Sequence, residues 1–300
     1  MRHLWLGVLV STMTLAACGD DGSDFATRPD EKNSLSSSVI LSGDSHEGSS
    51  PLSSSSSSVK SSSSAKSSSS AKYSSSSVTL ATPCKTDSTD TCEYGELLDD
   101  RDGQTYKTVK IGDQWWMAEN LNYAYLQPTA TLDSSSFCYN DSLEYCSKYG
   151  RLYLWSAAMD SAGTWSSNGK GCGYGAACSP TYPVRGVCPE GWHLPDTTEW
   201  RSLFTVVGGY LIAGAKLKFT SGWNSDGNGT DDFGFSALPA SRRHSDGGFV
   251  NEGYTVGFWS SVAFLNNYAF GTGMDCGNDI APLGGYVENN YGYAVRCVKD

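Results

Sequence analysis

The chain from about Cys84 to Asp300 predicts an α+β domain with few short helices, many short strands and long loops. Three observations lead there. The run Tyr106-Lys-Thr-Val-Lys-Ile111 alternates like a half-buried strand and follows an Asp102-Gly103 turn signal. A helix with complete start and stop signals follows Pro195. The same stretch is rich in Gly, Trp and Tyr and poor in long apolar helical patterns, so aromatic side chains on short elements have to supply the core.

Leu97 and Leu98 lie on the strand entering the Asp102-Gly103 hairpin, and Gly112-Asp113 turns into a third strand, Gln114-Trp-Trp-Met117. This predicts a three-stranded meander. Leu121 to Ser147 reads as an irregular loop. Arg151-Leu-Tyr-Leu-Trp155 predicts a strand, and Ser156-Ala-Ala-Met159 a short helix with Ser156 as its cap. Ala162 to Gly186 is a long Gly/Ser-rich loop, a length that is usually functional or mobile. In the helix after Pro195, Asp196 is the N-cap and Glu199 completes a capping box. Trp200, Leu203, Phe204 and Val207 form its apolar face, and Gly208-Gly209 ends it. Ala213 to Phe219 predicts a second short helix. Phe233–Leu238, Thr255–Ser260 and Tyr293–Val298 predict strands.

The chain starts with Arg2, an apolar run from Leu4 to Leu15, and Leu15-Ala-Ala-Cys18. This is similar to a bacterial lipoprotein signal covering residues 1–17, with the lipid placed on Cys18. The run is too short to span a membrane as a stable helix, whereas two or more acyl chains give stable anchoring. Residues 18–83 then form a tether. Ser53 to Ser77 is nearly all Ser, interrupted by lysines, and cannot bury enough apolar area to order itself. A coil of about 65 residues reaches roughly 40–50 Å. The expected location is extracytoplasmic and lipid-anchored, on the outer membrane with surface exposure. Residues 84–300 are the folded domain.

The net charge of −11 argues against nucleic acid or anionic lipid as charge-driven partners. Setting Cys18 aside leaves nine of the ten cysteines. In an oxidising compartment most should be paired. The candidate pairs are Cys84 with Cys92, Cys138 with Cys146, Cys172 with Cys178, and Cys188 with Cys297, which leaves Cys276 over. Sequence alone does not fix the connectivity.

Several motifs come in order: Gln114-Trp-Trp-Met-Ala-Glu-Asn-Leu121, Tyr149-Gly-Arg-Leu-Tyr153, Cys188-Pro-Glu-Gly-Trp-His-Leu-Pro195, Phe233-Gly-Phe-Ser-Ala-Leu-Pro239, Phe258-Trp-Ser-Ser261 and Val295-Arg-Cys297. Together they closely resemble the Fibrobacter succinogenes major paralogous domain, over about Gly95 to Asp300. The resemblance carries no established activity. It implies a scaffold similar to C-type-lectin-like and formylglycine-generating-enzyme-like folds, with small twisted antiparallel sheets and long disulfide-stapled loops. Such scaffolds host enzymes, sugar binders and protein binders alike.

Asp226-Gly-Asn-Gly-Thr-Asp-Asp232 gathers hard oxygen donors, and Asp226, Asn228, Asp231 and Asp232 are candidate Ca²⁺ ligands. The EF-hand register fails, and an Asx-type turn explains the same residues. Trp165, Tyr174 and Tyr182 lie in the polar loop and are candidate ligand-stacking residues; loop self-packing is the alternative. The other tryptophans of the domain read as core. His193 and His244 lack a neighbouring ligand set in the sequence, and no catalytic residues are identified. The expected function is a surface-anchored, non-catalytic binding or adhesion module for plant cell-wall polysaccharide or an envelope protein. The alternatives are an enzyme related to the formylglycine-generating class and a purely structural envelope component.

Overall fold

The structure, a computed structural model, describes residues 79–127 and 135–300. The expected signal sequence, Cys18 and the tether up to Val78 lie outside the described residues. Among the described residues no helix is long and apolar enough to cross a membrane.

The meander forms from β1 (Tyr94–Asp99), β2 (Gln104–Ile111) and β3 (Gln114–Met117). Its first turn closes because Asp102 and Gly103 both donate their N–H to the Asp99 carbonyl, with Gly103 at φ 75°. The expected loop from Leu121 to Ser147 holds β4 (Ser136–Phe137) and α1 (Leu143–Tyr149). This helix escaped detection because only Cys146 and Tyr149 of its seven residues are buried, and the Cys138–Cys146 disulfide holds it down. It stops at Gly150, φ 76°, where a Cβ would sit 2.7 Å from the Asn120 Cβ.

Next come β5 (Leu152–Leu154) and α2 (Trp155–Ala158). The N-cap of α2 is Leu154, so Ser156 lies inside the helix, buried, and is not its cap. After the long loop, β6 (Trp192–His193) leads to α3 (Thr197–Val206), whose capping box is complete between Asp196 and Glu199. The helix α4 (Tyr210–Leu217) begins three residues before the expected start, with Gly209 at φ 107° as its N-cap.

The segment Phe233–Leu238 is not a strand. Its Phe235 and Ser236 carbonyls accept from the buried Arg296 guanidinium, so they are unavailable to a ladder. After β7 (Arg242–Arg243) and β8 (Phe249–Val250), β9 runs Thr255–Leu265, five residues beyond the expected end. Two strands then appear that the sequence hid: β10 (Tyr268–Asp275) and β11 (Leu283–Glu288). Gly271, Gly273, Gly284 and Gly285 dilute their strand signal. The expected final strand is two short ones, β12 (Gly292–Tyr293) and β13 (Val298–Lys299). Between them the chain passes from one sheet to another.

The sheets run β1-β2-β3-β13-β6, β11-β10-β9 and β4-β5-β12-β7-β8, and every pair within them is antiparallel. An α+β class with few short helices is thus what the chain adopts. Trp116, Trp200, Phe235 and Phe258 form one aromatic core, with Trp116 and Trp200 ring centres 4.9 Å apart. A second core holds Trp155, Trp259 and Tyr293. Disulfides join Cys84–Cys92, Cys138–Cys146, Cys172–Cys178 and Cys188–Cys297. The last ties β13 back to the middle of the chain. Cys276 is buried beside Gly227, and no described cysteine is a free thiol.

Candidate functional site

The long loop after α2 is pinned at its root by one carboxylate. Asp160 is fully buried at φ 53° and accepts the Tyr125 hydroxyl at 2.7 Å. It also accepts the backbone N–H groups of Thr164, Trp165 and Ser166 at 2.6–3.0 Å. Further on, the Asn168 amide donates to the Thr181 and Pro183 carbonyls, and Arg185 donates to the Trp165 and Cys188 carbonyls. The Cys172–Cys178 disulfide closes a small ring within the loop. The hydrogen bonds named here fix the two ends of the loop, on either side of that ring, over the body of the domain.

The three loop aromatics separate into two roles. Trp165 is half-buried and meets Tyr123 edge to face at 5.8 Å. The Arg101 guanidinium lies 4.0 Å over the Tyr123 ring and 5.2 Å from that of Trp165, held by two 2.7 Å bonds to buried Asp99. Trp165 is therefore part of the wall that supports the loop. Tyr174 and Tyr182 are 38% and 49% exposed and present their rings outward. Tyr182 also reaches the Ser261 carbonyl of β9 at 3.5 Å, and Gly175 donates to the Asn266 carbonyl at the β9–β10 turn.

Beside that turn lies an aromatic group that sequence reasoning missed. Phe264 stands edge-on to Phe270 at 5.6 Å and to Tyr286 at 4.7 Å, one residue from each strand of the β9–β10–β11 sheet. Tyr286 is 57% and Leu265 60% exposed. A signal for this surface is present in the sequence. Residues 171–184, 255–274 and 280–287 contain no Asp, Glu, Lys, Arg or His, in a chain of net charge −11. Folding brings these three uncharged segments together through the β9–β10–β11 pairing and the bond from Gly175 to the Asn266 carbonyl.

The calcium candidates do not converge. Asp231 is buried and accepts Lys85 Nζ at 2.5 Å, the Ser236 N–H at 2.6 Å and the Ser236 hydroxyl at 2.9 Å. Asn228 Oδ1 accepts the Trp223 N–H at 3.0 Å. Asp232 uses its carbonyl to take the N–H groups of Cys84 and Lys85, and Asp226 is exposed at φ 58°. The Asp231 carboxylate and the Asn228 amide oxygen are occupied in shaping a turn. Among the described residues no three His, Cys, Asp or Glu side chains form a metal-holding group.

The two histidines find partners that the sequence did not disclose. His193 lies between Glu199 at 2.8 Å and Asp300 at 2.7 Å. Burial alone lowers its pKa, but the hydrogen bonds and charges of the two carboxylates outweigh this and the net shift is upward. His244 Nε2 faces the Tyr291 hydroxyl at 3.0 Å. The His193 group joins β6, α3 and the chain end, which is a structural clamp.

Arg296 accounts physically for the ordered motifs. It is 1% exposed, with Nε 2.6 Å from Asn120 Oδ1 and Nη1 2.9 Å from the Met117 carbonyl. The Phe235 and Ser236 carbonyls complete its set at 2.6 and 3.1 Å. Burial lowers its pKa to about 9, which leaves it charged at neutral pH. One guanidinium thus ties together Trp116-Met-Ala-Glu-Asn120, Phe233-Gly-Phe-Ser236 and Val295-Arg-Cys297. No curated protein and no solved structure matches the chain. The model of the Fibrobacter succinogenes major domain matches residues 109–299, a span that contains all three of these segments. With close to two thirds of its length matched, the chain belongs to the Fibrobacter succinogenes major domain family.

Proposed function

We propose that this protein is a surface-anchored, non-catalytic module that binds neutral polysaccharide of the plant cell-wall kind. The observation that carries the reading is the convergence of three uncharged segments on a surface that exposes Tyr174, Tyr182, Leu265 and Tyr286. Aromatic faces stack on the C–H faces of sugar rings, and amide and hydroxyl groups answer their hydroxyls. A face without charge suits a ligand without charge. The attachment of Tyr182 to β9 supports the reading further, because an aromatic held in place loses little entropy on binding.

Acylated Cys18 holds the chain in the outer membrane, and the Ser-rich tether lets the domain reach outward. The Leu-Ala-Ala-Cys signal and the composition of residues 18–83 support this. A C-type-lectin-like, formylglycine-generating-enzyme-like scaffold is the finer fold we infer. Its support is the return of β13 to pair with β6 beside α3, together with the Cys188–Cys297 tie. The test of the binding reading is affinity electrophoresis of the full chain in gels containing xylan, mixed-linkage glucan or hydroxyethylcellulose. Retardation by one of them, reduced in Tyr174→Ala and Tyr286→Ala, is the expected result. Equal migration in every gel refutes it.

A further inference from the structure

Two buried side chains next to the exposed aromatics have polar atoms with no partner. Ser156 is 1% exposed, and its hydroxyl makes no hydrogen bond. Asn289 is also 1% exposed; its Oδ1 is unpaired, while its Nδ2 makes only long 3.4 Å bonds to the Gly173 and Asn266 carbonyls. Both flank Gly173. A Cβ on that residue would sit 3.3 Å from the Ser156 Cβ. The floor under them is rigid, since Ser156 is inside α2 and the Trp155 N–H donates to the Asn289 carbonyl at 3.1 Å. A buried polar atom without a partner costs about 1–3 kcal/mol.

What covers these atoms is the ring closed by Cys172–Cys178, which carries exposed Tyr174. Gly171, φ 79°, precedes the ring, which contains Gly175, φ 74°. The ring rests on the 3.0 Å bond from Gly175 to the Asn266 carbonyl and on the long Asn289 bond to the Gly173 carbonyl. The disulfide keeps the ring in one piece, and its stem is held by the Gly171 N–H on the Ser161 carbonyl at 2.9 Å and the Cys172 N–H on the Gly169 carbonyl at 3.1 Å.

We propose that this ring is a lid over a hydroxyl-binding subsite made by Ser156 Oγ and Asn289 Oδ1. One sugar ring of the neutral glycan enters there and Tyr174 closes on it. The ligand class follows from the atoms: an amide oxygen needs a donor, a serine hydroxyl can give or take, and neither brings charge, so a sugar hydroxyl answers both. The inference rests on the polysaccharide-binding reading and deepens it.

The two accounts of these atoms predict opposite effects of the same substitution. A ligand subsite carries its unpaired atoms at a stability cost, so Ser156→Ala in the full chain should hold or raise the melting temperature. It should weaken the glycan by about 3- to 10-fold, the worth of one hydrogen bond. Gly173→Ala, at a φ open to alanine, fills the space above Ser156 and should weaken binding at least as much. The probes are xylohexaose and cellohexaose, titrated calorimetrically against wild type and both variants. If Ser156→Ala lowers the melting temperature and leaves affinity unchanged, these atoms serve an internal water and the subsite is refuted, while the binding reading stands. If wild type binds neither hexaose nor any of the polysaccharides, both fall.

Discussion

Arg296 Nε donates to Asn120 Oδ1 at 2.6 Å, across 176 residues of sequence, and both side chains are buried. The charge has no carboxylate beside it among its hydrogen-bond partners; three carbonyls and one amide satisfy it instead. Lysine cannot copy that planar fork. Arg296→Lys should therefore cost about 3–5 kcal/mol, the range for breaking a buried charged network. Urea unfolding at neutral pH measures it. An unchanged midpoint would show that the guanidinium does not organise the fold.

The His193 clamp makes stability depend on pH in a definite direction. An unfolded histidine titrates near about 6.5, and the folded pKa lies higher. The folded chain thus holds the proton more tightly than the unfolded one. The contribution is complete below the unfolded value and fades as pH rises through the folded value. Melting temperatures of wild type and His193→Gln should differ most below the unfolded pKa, and the gap should narrow as pH rises through the folded one. A gap that widens with pH would contradict the assignment.

The disulfides should rank by the loop each closes. Cys188 and Cys297 are 109 residues apart, and Cys172 and Cys178 are 6 apart. On a chain-entropy model these are worth about 4.7 and about 2 kcal/mol. Replacing Cys188 and Cys297 by Ala should lower the melting temperature well beyond replacing Cys172 and Cys178, as calorimetry would show. The reverse order would place the main constraint elsewhere.

Much of this architecture could be read from residues whose signal is local. The Asp102-Gly103 hairpin and the Asp196–Glu199 capping box each rest on chemistry within four residues. The aromatic sheet was out of reach for the opposite reason. The strands β10 and β11 gain their identity by pairing with β9, while their glycines erase the alternation that marks a strand. The partners of His193 and Arg296 lie up to 179 residues away, so no spacing rule could find them. The loop aromatics stand out by their place in a polar loop, but the packing of Trp165 depends on Arg101 and Tyr123, far upstream. The Asp226–Asp232 turn shows the limit of composition. It holds the right atoms for calcium, and Lys85, Ser236 and Trp223 have taken those of Asp231 and Asn228.

That turn gives a prediction of its own. Millimolar Ca²⁺ or EDTA should leave the melting temperature unchanged. Asp231→Ala, which strands Lys85 and Ser236, should lower stability by about 3–5 kcal/mol. A calcium-dependent rise in melting temperature that Asp231→Ala abolishes would reinstate a metal site.

The central claim is that an uncharged aromatic face recognises an uncharged polymer. Its most direct measurement is the affinity of the full chain for neutral xylan and glucan in 0.05 and 1 M NaCl, for wild type and for the Tyr174→Ala, Tyr286→Ala double variant. Stacking without charge predicts an affinity that salt does not weaken and that the double variant loses by at least tenfold. Binding that disappears at 1 M salt, or that survives loss of both rings, would contradict it.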